Sequence, residues 1–186
     1  MSVSDVQPLA DAAMTGDPAE VRCLLAEDPS LAGEYTAEGW TALHLAATSE
    51  IAAMLLDAGA DINARNRHKV FGPGNSPLSA AVYQDRRDVV DLLIERGADL
   101  NQGDNAGWRP IHLAAANGRL KTARMLLEAG ASTNVRTEEA TGLRSAKKTP
   151  LELLRLPDRT GEGGTASRPE VDEEMTGLLR QYGAQG

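Results

Sequence analysis

The sequence predicts an all-α fold: a solenoid of about five stacked helix-turn-helix repeats joined by β-hairpin-like loops. Three observations carry this. The segments TALHLAA (41–47), SPLSAAV (76–82), RPIHLAA (109–115) and TPLELLR (149–155) are variants of one motif. Each is followed by a second motif, MLLDAGADIN (54–63), LLIERGADLN (92–101), MLLEAGASTN (125–134) and LLRQYGA (178–184). The starts at Thr41, Ser76, Arg109 and Thr149 are spaced by 35, 33 and 40 residues. A period of this size means one supersecondary unit per repeat, none of which buries its apolar face without a neighbour.

Each element has a local reason. Thr41, Ser76 and Thr149 offer a side-chain oxygen at an N-cap, and Pro77, Pro110 and Pro150 stand at the first helical position, where a missing N–H costs nothing. Leu43, Ala46 and Ala47, like Ile111, Ala114 and Ala115, follow helical spacing, and their alanines let short helices approach closely. The second helix carries Ile51, Met54 and Leu55, then Val89, Leu92 and Leu93, then Ala123 and Leu126. It stops at Gly59, Gly97, Gly130 or Gly183, because glycine accepts the left-handed conformation that ends helices. The stretches around 61–63 and 104–108 are turn chemistry leading into the next repeat.

These motifs resemble the ankyrin repeat family, whose unit of about 33 residues reads T-P-L-H-x-A followed by a glycine-terminated second helix. The resemblance covers nearly the whole chain and implies a single domain over 1–186. Residues 4–38 look like an N-terminal capping repeat in which Asp17 and Pro18 open the second helix, 39–147 hold three internal repeats, and 148–186 form a degenerate C-terminal cap.

Departures from the pattern are local. Thr41 to Gly59 is 18 residues, against 21 from Ser76 to Gly97 and from Arg109 to Gly130, so three residues are missing between the helices of the second repeat. Ser79 and Glu152 stand where the motif has histidine and Arg109 where it has threonine, which leaves the capping network incomplete and locally weaker there. By the resemblance, two insertions, NRHKVFGPGN (66–75) and TEEATGLRSAKK (137–148), fall at hairpin tips, and a third, PDRTGEGGTASRP (157–169), has flexible-loop composition. Gly72, Gly74, Gly161, Gly163 and Gly164 read as flexibility.

The chain has 186 residues, 41% hydrophobic, 25% charged and 3% aromatic, with no apolar run long enough to span a membrane. Residues 1–20 contain no Lys or Arg and no long apolar stretch, so neither a secretory nor a transit signal is read there, and a cytoplasmic protein is expected. The single Cys23, beside Leu24 and Leu25, reads as a buried structural thiol. Net charge is −8 but uneven: residues 1–60 hold ten acids against Arg22 alone, whereas 111–149 hold seven bases against three acids. An acidic N-terminal half steers basic partners and disfavours nucleic acid, although the same charges also serve simply to solvate helix faces.

Three histidines and one cysteine leave little from which to build a metal site or a nucleophile pair, so no catalytic residue, metal or cofactor is assigned. His44 and His112 occupy the family's structural position. His68 has no such account. Trp40 and Trp108 precede repeat starts, Phe71 lies in the first insertion and Tyr83 near a helix end. In the resembling family such positions line the concave face and hairpin tips, and aromatics there anchor interfaces. The two tryptophans equally suit packing flat across neighbouring hairpins. Gln84, Asn117, Arg144 and Lys147 add polar contacts to the candidate binding set.

The leading functional reading is a non-enzymatic, monomeric scaffold that binds a protein partner through its concave face and hairpin tips, with no nucleic-acid or membrane role. A narrower version is an inhibitor or immunity-type binder of a basic partner. The alternative is nucleotide or phosphate binding by the basic loop 137–149. Its GLRSAKKT (142–149) resembles a P-loop but has Lys147 where the second glycine belongs, and no strand is read before it.

Overall fold

The computed structural model describes residues 6–68, 73–137, 148–154 and 169–185; among them are ten α-helices, one short 3₁₀ turn and no strand. The chain divides into two compact units, residues 1–99 and 100–186. In the first, α1 (Gln7–Thr15), α2 (Pro18–Glu27) and the 3₁₀ turn Pro29–Gly33 form one repeat, α3 (Ala42–Leu45) and α4 (Ser49–Asp57) the next, and α5 (Pro77–Tyr83) and α6 (Arg87–Glu95) a third. Helix α3 packs between α1 and α5, and α4 between α2 and α6. In the second unit α7 (Pro110–Ala116) packs on α9 (Pro150–Leu153), and α8 (Leu120–Glu128) on α10 (Pro169–Gln181).

Helix starts follow the cap chemistry. Asp17 Oδ1 accepts the N–H groups of Ala19 and Glu20, both at 3.1 Å, and Pro18 is the first helical residue of α2. Pro77, Pro110 and Pro150 likewise open α5, α7 and α9. Ser76 Oγ accepts the Ser79 N–H at 3.2 Å, and Thr149 Oγ1 accepts that of Glu152 at 3.2 Å. Arg109 has no acceptor to offer, so the start of α7 is held only from the other side, by the Arg109 N–H donating to His112 Nδ1 at 3.1 Å.

Glu152 corrects one expectation. The Thr149 N–H donates to its carboxylate at 2.9 Å, which closes a full capping box, and Arg136 reaches both carboxylate oxygens at 3.2 Å. A glutamate at this position accepts the N-cap N–H as well as an imidazole does, so the network is complete there. The Thr149 hydrogen bond, followed by the charge of Arg136, holds the Glu152 carboxyl below its usual range.

The core is built from one register. Leu9, Leu43, Leu78, Ile111 and Leu151 occupy the same motif position and are essentially without exposed surface, as are Val21, Ala52, Val90 and Ala123 on the second helices. Full burial of each leucine, isoleucine or valine among them stabilises by about 1.5–3 kcal/mol. Cys23 is exposed, contrary to the sequence expectation. It occupies the register position of Met54, Leu92 and Met125, each of which also keeps part of its surface in solvent, so this edge of the second helix lies outside the core.

Asparagines after the second helices tie consecutive repeats together. Asn63 Oδ1 accepts the Asp99 N–H at 2.9 Å in the first unit, and Asn101 Oδ1 accepts that of Ser132 at 3.0 Å in the second. Asn134 holds the C-terminal turn at both ends, accepting from the Gln185 N–H at 2.8 Å and donating to the Gly183 carbonyl at 2.9 Å.

The three residues missing from the second repeat come out of α3, which has four residues where α5 and α7 have seven. After Leu45 the chain turns extended and runs directly into α4. Both flanking repeats hold this bridge. Ala47 N–H donates to the Ala13 carbonyl of α1 at 2.9 Å, Arg86 Nη1 donates to the carbonyls of Leu45 and Ala46 at 2.6 and 2.8 Å, and Asp88 Oδ2 accepts the Ser49 N–H at 3.0 Å. The guanidinium thus replaces the missing turn as the partner of the helix-end carbonyls.

Arg86→Ala is therefore expected to lower the unfolding free energy of the full chain by about 2 kcal/mol in urea titrations, the scale of hydrogen bonds to a charged group. Arg86→Lys should recover only part of the loss, since an ammonium lacks the planar fork. Stability unchanged in Arg86→Ala would remove the clamp from this account.

Candidate functional site

The candidate residues fall on two kinds of surface, hairpin turns and first-helix ends. In the first unit, the turn 36–40 closes with the Thr36 N–H donating to the Trp40 carbonyl at 2.8 Å, and the Arg67 N–H donates to the Gly39 carbonyl at 2.7 Å. Gly39 has φ of +88°, and a Cβ there would stand 2.7 Å from the Arg67 carbonyl carbon, so only glycine lets the two backbone segments lie this close. Trp40 is half-buried, edge-on to His44 at 5.7 Å between ring centroids and tilted over His68 at 5.4 Å. His68 thereby gains a packing role that the sequence did not reveal. Beside this stack the Arg67 guanidinium lies 3.7 Å from the Tyr35 ring centroid, and the Tyr35 hydroxyl donates to the Arg65 carbonyl at 3.2 Å.

The second unit repeats the arrangement at 104–108. The Asp104 N–H donates to the Trp108 carbonyl at 2.9 Å, and Asp104 Oδ1 accepts the N–H groups of Ala106 and Trp108, both at 2.8 Å. Trp108 is half-buried and edge-on to His112 at 6.0 Å. Both tryptophans therefore pack across a buried histidine and keep one part of the indole at the surface. At the 66–75 hairpin, Gly74 is ordered rather than merely flexible: it is buried with φ of +84°, and its N–H donates to Asn66 Oδ1 at 2.8 Å.

First-helix ends carry the rest. Tyr83 ends α5 and is 49% exposed, with exposed Gln84 as its C-cap neighbour. Asn117 caps α7, its Nδ2 donating to the Leu113 carbonyl at 2.8 Å, so its amide is largely engaged in structure. Met14, at the matching position of α1, is 50% exposed and was not singled out from the sequence; aligning it with Tyr83 reveals it. The structure thus brings Trp40 together with His68, and Tyr83 with Gln84. Phe71, Arg144 and Lys147 lie outside the described residues, as do Gly72 and most of the second and third insertions.

The polar residues best suited to chemistry are spent on the frame. His44 Nδ1 accepts from Thr41 Oγ1 at 2.8 Å, and its Nε2 donates to the Asn75 carbonyl at 3.0 Å. His112 Nε2 donates to the Val135 carbonyl at 3.1 Å. Burial lowers both rings from 6.5 to about 4, so each is neutral at pH 7 with both nitrogens occupied. Thr149, the residue a P-loop would use for its hydroxyl, commits that hydroxyl to the cap of α9. Among the described residues no three His, Cys, Asp or Glu side chains group as metal ligands, and no helix is long and apolar enough to cross a membrane.

A family model for ankyrin repeats (3 copies) matches residues 3–66 and again 64–137. The chain is 31% identical over 141 residues to the B-cell lymphoma 3 protein homolog of Mus musculus, across 73% of this chain and 31% of that protein. It is 31% identical over 164 residues to the E3 ubiquitin-protein ligase XBAT33 of Arabidopsis thaliana, across 84% of this chain and 31% of that protein. To protein phosphatase 1 regulatory subunit 27 of Homo sapiens it is 36% identical over 66 residues, across 36% of this chain and 43% of that protein. The chain matches less than half the length of each.

The two buried imidazoles make the frame pH-sensitive. Folding lowers their proton affinity from 6.5 to about 4, so the unfolded chain binds more protons between those values and stability rises with pH across that window. Their contribution is present above pH 6.5 and is lost as pH falls through 4, about 3 kcal/mol for each ring. Urea midpoints measured across this window should fall steeply in the wild type. In a His44→Ser, His112→Ser double variant, less stable at pH 7, most of that slope should vanish; an unchanged slope would assign it to other groups.

Proposed function

Because the chain belongs to the ankyrin repeat family, we propose that it is a non-catalytic scaffold that binds a protein partner through its first-helix ends and hairpin turns. The observation that carries this reading is the division of labour among its side chains. The buried imidazoles of His44 and His112 and the hydroxyl of Thr149 are consumed by caps and repeat-to-repeat bonds, whereas Tyr83, Gln84 and the outer parts of Trp40 and Trp108 are left at the surface without a comparable structural task. Aromatic rings presented on a rigid frame bury area at low entropic cost, which suits them as interface anchors. One relative is named as a regulatory subunit of protein phosphatase 1.

The narrower reading is a cytoplasmic, monomeric inhibitor of a basic partner. It is supported by the ten acids against one base in residues 1–60. Phe71, Arg144 and Lys147 extend the proposed contact set along the two insertions.

Affinity capture from native lysate tests the scaffold reading. The wild type should retain a protein that a Tyr83→Ala, Gln84→Ala variant of unchanged thermal stability loses, and the recovered pair should weaken as salt rises. Equal capture by both proteins would move the contact elsewhere, and salt-insensitive binding would sink the basic-partner version.

A further inference from the structure

We propose that the turn missing from the second repeat leaves a notch on the first unit, and that this notch receives a bulky apolar side chain presented by a basic polypeptide segment. The proposal rests on the scaffold reading and gives it an address. Its first support is register. Aligned on their motif starts, Met14 of α1 and Tyr83 of α5 occupy one position, and the residues absent between Ala47 and Thr48 are the counterparts of Tyr83, Gln84 and Asp85 and of Ala116, Asn117 and Gly118. Helix α3 packs between α1 and α5 but stops at Leu45, one turn before either neighbour. Beyond Leu45 the row is open by about one helix spacing, roughly 10 Å.

The walls and floor are distinctive. Met14 and Tyr83, one on each side, are the two large hydrophobic side chains exposed among the described residues, at 50% and 49%. A single exposed apolar residue is ordinary; a register-matched pair flanking a gap can close around an inserted side chain and dehydrate it. The floor is the bridge from Ala46 to Thr48, fastened by Ala47 to the Ala13 carbonyl and by Arg86 to the Leu45 and Ala46 carbonyls. Being clamped from both flanks, it does not rise to fill the gap. The tie to α1 is close, the Ala47 N–H lying 2.9 Å from the Ala13 carbonyl oxygen.

Charge selects the occupant. Residues 1–99 hold sixteen acids and seven bases, net −9. Around the notch stand Asp11, Asp17, Asp85 and Asp88; the nearby bases are Arg86, turned onto the floor carbonyls, and Arg87, paired with Asp85 at 3.9 Å. The rim is thus net negative. It favours lysine or arginine beside the inserted residue, whose stems also pack well against a tyrosine face.

Calorimetric titration of the full chain tests this with short synthetic peptides of lysine and leucine, lysine and alanine, and glutamate and leucine. The lysine–leucine peptide should bind roughly tenfold or more tightly than the other two, as expected for burying one large apolar side chain beside favourable charge. Two variants address the notch itself. One inserts Ala-Asn-Gly between Ala47 and Thr48, restoring the turn found at Ala116, Asn117 and Gly118; the other is Met14→Ser with Tyr83→Ser. Each, checked by thermal unfolding, should lose the preference for leucine over alanine while binding the lysine–alanine peptide as before. A leucine preference that persists in either folded variant, or glutamate–leucine binding as tight as lysine–leucine, overturns the proposal. A captured partner that binds the filled variant as tightly as the wild type also overturns it and leaves the scaffold reading standing. If nothing is captured yet the leucine preference follows the notch, the scaffold reading fails and the site remains.

Discussion

Within each unit, a buried imidazole reaching from one repeat to the hairpin after it is the bond on which the arrangement depends. His44 links its own N-cap to the Asn75 carbonyl, and His112 links the start of α7 to the Val135 carbonyl. An uncharged ring does this with one nitrogen accepting and the other donating, so the same burial that suppresses protonation fixes the tautomer. A protonated ring would lose the acceptor that the N-cap requires. The asparagine bonds at Asn63, Asn101 and Asn134 repeat the principle on the second-helix side. A stack held this way leaves its outer rows free to vary.

That freedom is visible in the second repeat. Deleting a helical turn would ordinarily expose carbonyls at the end of α3, yet Arg86 from the following repeat satisfies two of them and Ala47 reaches back to α1. The shortened repeat is therefore held by both neighbours in sequence rather than by its own helix length. The consequence for function is a change of relief: Met14 and Tyr83 stand proud of a lowered floor in an acidic unit. Arg86 thus fixes the segment between the two exposed apolar side chains as well as the end of α3.

How much of the site was legible follows from the reach of each interaction. Trp40, Trp108 and Tyr83 could be picked out because their motif positions and large side chains are properties of the chain alone. The partner of His68 could not, because the Trp40 ring it packs on lies a repeat away in sequence. Met14 is not legible as exposed because methionine on a helix reads as core; only its alignment with Tyr83 marks it out. Cys23 failed for the complementary reason: two leucines follow it, but its register partners Met54, Leu92 and Met125 sit at the edge of the packed face.

The sequence by itself determined the repeat, the helix starts at proline after a capping residue, the glycine stops and the leucine register, because these are written in interactions spanning a few residues. It also showed that three residues were missing from the second repeat. Only the tertiary structure decided what the loss meant: that α3 would unwind after Leu45, that Arg86 would turn inward to cap it, and that Glu152 would complete a box with Arg136 in support. Those outcomes rest on hydrogen bonds between groups as far as 41 residues apart, and satisfying buried carbonyls is a demand that local pattern states without naming the donor.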